Sequence, residues 1–248
     1  MSLDAIDRLR QIEELIRAEG RVRVIDAAAR FDVSEMTIRR DLDVLAERGV
    51  AQRIRGGAVA IGPQPFAERF SRHARAKDRI AAKLAPLVGV GGAIGLDAST
   101  TLQRLAVRLG DVRDLTLVTN GQDTFAALQD RPGVTALLTG GQLDPRTGSL
   151  VGPLATRAAQ ELLLRRLFVS AAALHPLHGT SEATLEDAEV KLALTDVAAE
   201  VIVAVDSSKL DQRAPARALG PDRVHLLVTE LDSADPRLDP YRDRWELL

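Results

Sequence analysis

The run Ser34-Glu35-Met36-Thr37-Ile38-Arg39-Arg40-Asp41-Leu42 constrains this chain more than any other stretch. Serine is a strong helix cap, and Ile38, Leu42 and Leu45 recur at helical spacing, which turns one apolar stripe inward. Ser34, Glu35, Thr37, Arg39 and Arg40 then lie mostly off that stripe. Hydroxyls and guanidiniums at the start of a short helix suit a DNA major groove: hydroxyls and helix N-terminal amides hold phosphates, and arginine forks onto a guanine edge. An amphipathic helix with a merely solvated face has the same pattern, so the flanking sequence has to decide between the two.

The flanks read as a helix-turn-helix with a wing. Residues 5–19 form a first helix, with Ile6, Leu9, Ile12, Leu15 and Ile16 on one side and Gly20 ending it. Val24 to Phe31 is a short second helix whose alanines permit close approach. Asp32-Val33 is the tight turn before the Ser34 cap. After Arg48 and Gly49, Val50, Gln52 and Ile54 alternate with Ala51, Arg53 and Arg55, and Gly56-Gly57 marks a turn, so a hairpin follows the third helix. Arg53 and Arg55 on that hairpin can reach a phosphate backbone. Arg39 sits one turn before Asp43, and a pair between them is worth only about 0.3–0.5 kcal/mol, so DNA can compete for it.

A length of 248 residues allows one to two domains. Net charge is −2 but uneven: residues 1–79 carry 16 basic and 13 acidic residues, the remainder 17 and 22. The chain is therefore not a globally basic nucleic-acid protein, and phosphate contacts should be few per subunit and sensitive to salt. Cysteine is absent, which excludes disulfides and Cys-based zinc sites. His175-Pro176-Leu177-His178 is a fragment of a metal site, but with only His73 and His225 elsewhere it does not make one, and no metal or cofactor is expected. There is no apolar run of membrane-spanning length, and the N-terminus lacks a signal-peptide pattern, so a cytoplasmic protein is expected.

Composition shifts over 59–73, where Gly62-Pro63-Gln64-Pro65 predicts an extended connector. From Ala74 a helix resumes, with Ile80, Leu84, Leu87 and Val88 apolar. Short apolar strands then alternate with helices as far as Val228, which predicts an α/β domain with a mainly parallel sheet. The organisation expected is 1–58 winged helix-turn-helix, 59–73 linker, 74–232 α/β domain and 233–248 tail.

Ligands of parallel sheets sit at the strands' carboxyl ends. Asp97-Ala98-Ser99-Thr100-Thr101, Thr119-Asn120-Gly121, Thr139-Gly140-Gly141 and Asp206-Ser207-Ser208-Lys209 all fall there. Each alone reads as a turn or cap; four on one edge point to a pocket. Ser99, Thr100 and Thr101 offer hydroxyls and helix-start amides for a phosphate. Gly140 and Gly141 allow close backbone approach. Asn120 and Asp97 suit sugar hydroxyls, and Lys209 can neutralise a phosphate. Lys191 is a weaker candidate whose ordinary reading is a solvated helix residue.

The run from Val33 to Leu42, with Leu45, Gly49, Arg53 and Gly56-Gly57-Ala58, resembles the winged helix-turn-helix of the DeoR family of bacterial transcriptional regulators. The second half resembles that family's effector domain, similar in fold to sugar-phosphate isomerases, through Asp97 with Ser99-Thr100-Thr101, Thr119-Asn120, Gly140-Gly141, Ser149 to Gly152, Gly179-Thr180, Glu189 to Lys191 and Asp206 to Lys209. Two positions depart from the pattern: Ser99 replaces a usual glycine, and Ser170-Ala171-Ala172-Ala173-Leu174 replaces a Gly-rich turn. The resemblance implies a non-enzymatic repressor, a homodimer or homotetramer. Its operator contacts would come from Ser34, Glu35, Met36, Thr37, Arg39, Arg40, Arg53 and Arg55, and a phosphorylated sugar or polyol would release it. The competing reading is a sugar-phosphate isomerase with an added winged helix, for which Asp97 or Glu186 would be the base, although no paired constellation stands out.

Overall fold

A computed structural model describes residues 3–47, 50–60 and 65–248, the side chains of residues 3, 4, 17, 18 and 60 excepted. Arg48, Gly49 and Gly62-Pro63-Gln64, used in the sequence argument, lie outside the described residues. Two compact units are present, Met1–Arg69 and Phe70–Leu248.

The first unit contains α1 (Leu3–Glu19), β1 (Arg21–Arg23), α2 (Val24–Phe31), α3 (Glu35–Glu47), β2 (Ala51–Ile54) and β3 (Gly57–Ala60); α4 (Phe66–Ser71) follows. Most of the two stripes meets in one core: Leu9, Ile12 and Ile16 of α1 and Ile38, Leu42 and Leu45 of α3 are buried together with Val24 and Ala27, whereas Ile6, expected on the same side of α1, is 54% exposed near the helix start. Asp32 takes a left-handed conformation (φ 50°) and its N–H bonds the Ala28 carbonyl, ending α2 tightly. The Ser34 hydroxyl accepts from the Thr37 N–H at 3.2 Å, the expected cap of α3. β2 and β3 form the antiparallel wing, and β1 adds to β3. β1 escaped the sequence reading because Arg-Val-Arg is too short to show a period. It approaches so closely that a Cβ on Gly57 would lie 2.1 Å from the Val22 carbonyl oxygen, so glycine is required there.

The expected extended connector is partly structured. β3 runs to Ala60, and α4 occupies the stretch after the second proline. Proline forbids helix behind it in the chain but not ahead: the Pro65 carbonyl accepts from the Arg69 N–H at 3.0 Å, opening the helix.

The second unit begins with α5 (Ala74–Leu84), β4 (Gly92–Leu96), α6 (Thr100–Arg108), β5 (Leu115–Thr119), α7 (Gln122–Leu128) and β6 (Val134–Leu138). A hairpin of β7 (Gln142–Asp144) and β8 (Ser149–Val151) leads to α8 (Pro153–Gln160) and β9 (Arg166–Val169). Then come β10 (Ala173–His175), β11 (Gly179–Glu182), α9 (Leu185–Asp196), β12 (Val201–Ala204), β13 (Ala216–Arg217), β14 (Leu226–Val228), α10 (Asp239–Arg242) and β15 (Glu246–Leu247). Seven strands form one sheet in the order β15-β14-β12-β9-β4-β5-β6, with every pair parallel. Alternate residues enter two cores: Leu167, Val169, Val201 and Val203 pack under α8 and α9, and Phe168, Ile202, Ile94 and Leu96 under α5 and α6. Burial on both faces is why these strands read as unbroken apolar runs.

Residues 233–248 are not a tail. Tyr241 and Trp245 enter the core, and β15 pairs with β14 as the sheet's outer strand. A two-residue strand carries no periodic signal, and the prolines and acids before it masked the packing.

Strand order reverses at β4. Going along the chain, β5 and β6 lie to one side of it and β9, β12, β14 and β15 to the other. The carboxyl ends of β4 and β9 therefore form the crevice in which such sheets bind ligands.

Candidate functional site

Two groups of side chains carry chemistry, one in each unit. In the first, α3 presents Ser34, Glu35, Met36, Arg39 and Arg40 exposed and Thr37 half-exposed. Met36 is 59% exposed, so it contributes little to the core and can meet a thymine methyl. The Ser34 and Thr37 hydroxyls lie 3.0 Å apart. Arg39 pairs with Glu35 at 3.0 Å rather than with Asp43, because Asp43 is taken by Arg53 at 2.8 Å. Both arginines of the wing were expected at DNA, but they differ. Arg53 also donates to the Gly57 carbonyl at 2.7 Å, tying the wing to α3. Arg55, at the hairpin turn, and Arg40 are exposed and make no ion pair with any described residue. Asp41 turns inward at 7% exposure and pairs with Arg8 at 2.6 Å, locking α1 onto α3.

In the second unit the crevice at β4 and β9 is bridged by charge. Asp97 Oδ2 follows β4 and accepts from the Ser170 N–H, which follows β9, at 2.8 Å. Lys191 of α9 reaches the same carboxylate at 3.0 Å. It also bonds Glu182 of β11 and the Ser170 carbonyl. The sequence read Lys191 as solvated; it is 7% exposed, because α9 is buried on more of its surface than an amphipathic helix would be. Burial alone would lower the lysine's pKa, but Glu182 and Asp97 outweigh it and hold the ammonium charged, above its usual range. Burial raises the Glu182 carboxyl above the ordinary carboxylate range against the pull of Lys191, with Asp97 and Asp187 adding to the rise. Glu182 was missed because nothing in its local sequence separates it from a surface glutamate. With it, Asp97 does gain the paired carboxylate that the sequence failed to reveal, whereas Glu186 is exposed.

The remaining candidates divide between lining and bracing. Ser99 caps α6 by accepting from the Leu102 N–H at 3.2 Å, and Thr100 and Thr101 follow it, buried. Asn120 accepts from the Ala98 N–H at 3.0 Å and donates to the Leu150 carbonyl at 3.2 Å, stitching the β4 loop and β8 to the end of β5. Gly141 (φ 115°) sits where a Cβ would be 2.7 Å from the Val151 carbonyl oxygen, so its glycine serves the hairpin. Gly140 (φ 71°) faces open space. Asp206 caps the turn before Lys209 by accepting from the Ser208 N–H at 3.1 Å, and Lys209 is half-buried. The two histidines of the metal-site fragment stack at 4.7 Å between ring centres, with Arg213 3.2 Å from His175 Nε2. No helix is long and apolar enough to cross a membrane among the described residues. One buried acceptor stands out: Asp97 Oδ1 has no hydrogen-bond partner among the described residues.

Comparison with known proteins gives matches in both halves. Residues 8–64 match the DeoR-like helix-turn-helix domain, and residues 72–231 match the DeoR C terminal sensor domain. The transcriptional repressor AccR of Agrobacterium fabrum is 31% identical over 90% of this chain and 89% of its own length. The lactose phosphotransferase system repressor of Lactococcus lactis is 29% identical over 94% of both. Among solved structures, ribose 5 phosphate isomerase A from Neisseria gonorrhoeae is similar at 15% identity and a TM-score of 0.37, over 54% of this chain and about half (52%) of that one.

Proposed function

The chain belongs to the DeoR family of transcriptional regulators, and from that premise we propose that it represses carbohydrate-metabolism genes and leaves its operator when a phosphorylated sugar or polyol binds the second unit. DNA recognition is assigned to residues 1–58 and effector binding to 74–232. The observation that carries the effector half is the Asp97 carboxylate. It lies at the reversal of strand order with one buried oxygen unpartnered, and a buried acceptor left unmatched is costly until a ligand hydroxyl donates to it. The start of α6, with Thr100 and Thr101, offers donors for the phosphate. Relatives that carry the word repressor in their names support the sign of regulation.

An effector acts only by binding the DNA-competent and DNA-released states unequally. The route assigned here runs through α6. Arg104, one turn beyond Thr100, pairs with Asp78 of α5 at 2.9 Å and donates to the Phe70 carbonyl at 2.8 Å. Its guanidinium also lies 4.1 Å from the centre of the Phe70 ring. Arg104→Ala should keep both binding activities and blunt the response that joins them. Fluorescence anisotropy of the full chain on its own upstream DNA, titrated with a panel of pentose, hexose and polyol phosphates, tests the whole reading. At least one compound should release the DNA; a panel without effect, or no sequence-specific binding, overturns it.

A second reading, sugar-phosphate isomerisation, is favoured by one observation, the two carboxylates on Lys191. Turnover of the panel that disappears in Asp97→Asn would establish it.

A further inference from the structure

We propose that Arg146, in the turn between β7 and β8, is the residue that receives the anionic group of the effector; this rests on the effector reading above. Lys191, Lys209 and Arg146 are cations on or beside the segments at the carboxyl edge of the sheet, and Lys191 and Arg146 stand at the two extremes. Lys191 is saturated: Asp97, Glu182 and the Ser170 carbonyl take its three ammonium hydrogens. Two carboxylates already surround it, so a phosphate placed there would meet net negative charge. Arg146 is in the opposite condition. Its Nε and Nη2 are buried and have no hydrogen-bond partner, and it makes no ion pair with any described residue. A guanidinium does not discharge by losing its proton, so burial leaves a forked donor waiting for an oxyanion.

The turn is built to hold that fork in place. The Arg146 N–H donates to Asp144 Oδ1 at 2.8 Å. The Gly148 carbonyl accepts from the Gln122 N–H, at the start of α7, at 2.9 Å. Ser149 pairs with Gly121, its hydroxyl meets Thr147 at 2.6 Å, and it donates to Asp187 of α9 at 2.7 Å. Gly121 in turn packs so closely on the β4 loop that a Cβ there would lie 2.9 Å from Ala98 Cα. The turn carrying Arg146 is thus fastened through Ser149 and Gly121 to the loop of Asp97 and Thr100. Asp97 then takes the hydroxyl end of the metabolite and Arg146 its phosphate ester.

The test uses the full chain and a panel of pentose, hexose and polyol monophosphates, the matching sugar acids and the neutral parent sugars, followed by thermal shift and calorimetry. For the ester that binds wild type best, Arg146→Ala should weaken affinity at least tenfold, Arg146→Lys should restore part of it, and operator binding should be unchanged. Ligand-free Arg146→Met should melt at or above the wild-type temperature, since Arg146 is half-buried and the change removes two buried donors that have no partner. Three results overturn the assignment: affinity within twofold of wild type in Arg146→Ala, a lower ligand-free melting temperature in Arg146→Met, or preference for neutral sugars over esters and acids. A wild-type chain silent to the entire panel overturns the effector reading along with it, and preference for sugar acids keeps Arg146 as the anion site while replacing the ester with a carboxylate.

Discussion

The two units handle charge in opposite ways. On α3 and the wing, arginines stand in water with weak partners or none: Arg39 holds Glu35 across an exposed turn, and Arg40 and Arg55 hold no described residue. At the crevice of the sheet, Asp97, Lys191 and Glu182 are buried, with both carboxylates paired to the one lysine. Exposed arginines cost little to keep and are ready to trade a carboxylate or water for a phosphate. Buried charges are expensive singly and persist only where an opposite charge and hydrogen bonds offset them, as Lys191 does for its two carboxylates. A surface proposed to read DNA and a crevice proposed to take an effector thus use the same residue types in different ways.

The sharpest way to break this contrast is at Lys191. Lys191→Met leaves two carboxylates buried together and should cost the second unit about 3–5 kcal/mol, read by urea denaturation. Combining it with Asp97→Asn and Glu182→Gln should recover most of that loss. An unaltered midpoint for the single variant would mean that the set is not coupled. Next in size is Arg40→Ala, which should weaken operator binding by about 1–3 kcal/mol and lower the salt slope by about one per subunit, with no change in melting temperature. Loss of stability instead would place Arg40 with the buried charges and erase the distinction.

The wing supplies an internal control of smaller size. Arg53→Ala should destabilise the first unit by about 1 kcal/mol, because Arg53 joins Asp43 to the Gly57 carbonyl, while Arg55→Ala leaves stability within about 0.5 kcal/mol and affects DNA binding alone. Guanidine melts and anisotropy on both variants separate the two roles. The smallest effect concerns pH. The Glu182 carboxyl is raised in the folded chain from an ordinary value of 4.5. Between that value and its folded one the folded state binds more protons than the unfolded state, so its contribution to stability falls as pH rises through this window. Glu182→Gln should remove that part of the slope; an identical pH–stability curve in the variant would show that Glu182 is not the group responsible.

The sequence was most legible where a periodic pattern met a single buried face. The second helix lies at Val24–Phe31 as expected, and the third lies where the spacing of Ile38, Leu42 and Leu45 puts it. Legibility failed where structure depends on distant partners. β1, β13 and β15 exist only because another strand lies beside them, and Lys191 is buried only because Glu182 and Asp97 arrive from other elements. The same limit hid Arg146 and separated the roles of Arg53 and Arg55, since position along a hairpin says nothing about which guanidinium finds an acceptor. Asn120 was recognised as special, but its two backbone bonds give it a bracing role that a one-dimensional reading could not assign.

The hairpin of β7 and β8 lies outside the seven-stranded sheet but is anchored beside it: backbone bonds join it to Asn120 and Gln122, Ser149 donates to Asp187 of α9, and Val151 enters the core. Its turn, between Asp144 and Gly148, is the part that can vary without disturbing those anchors. On the proposal that Arg146 holds the effector's anion, exchanging residues 145–147 between related regulators should change the choice of inducer, a practical path to sensors that answer to new metabolites.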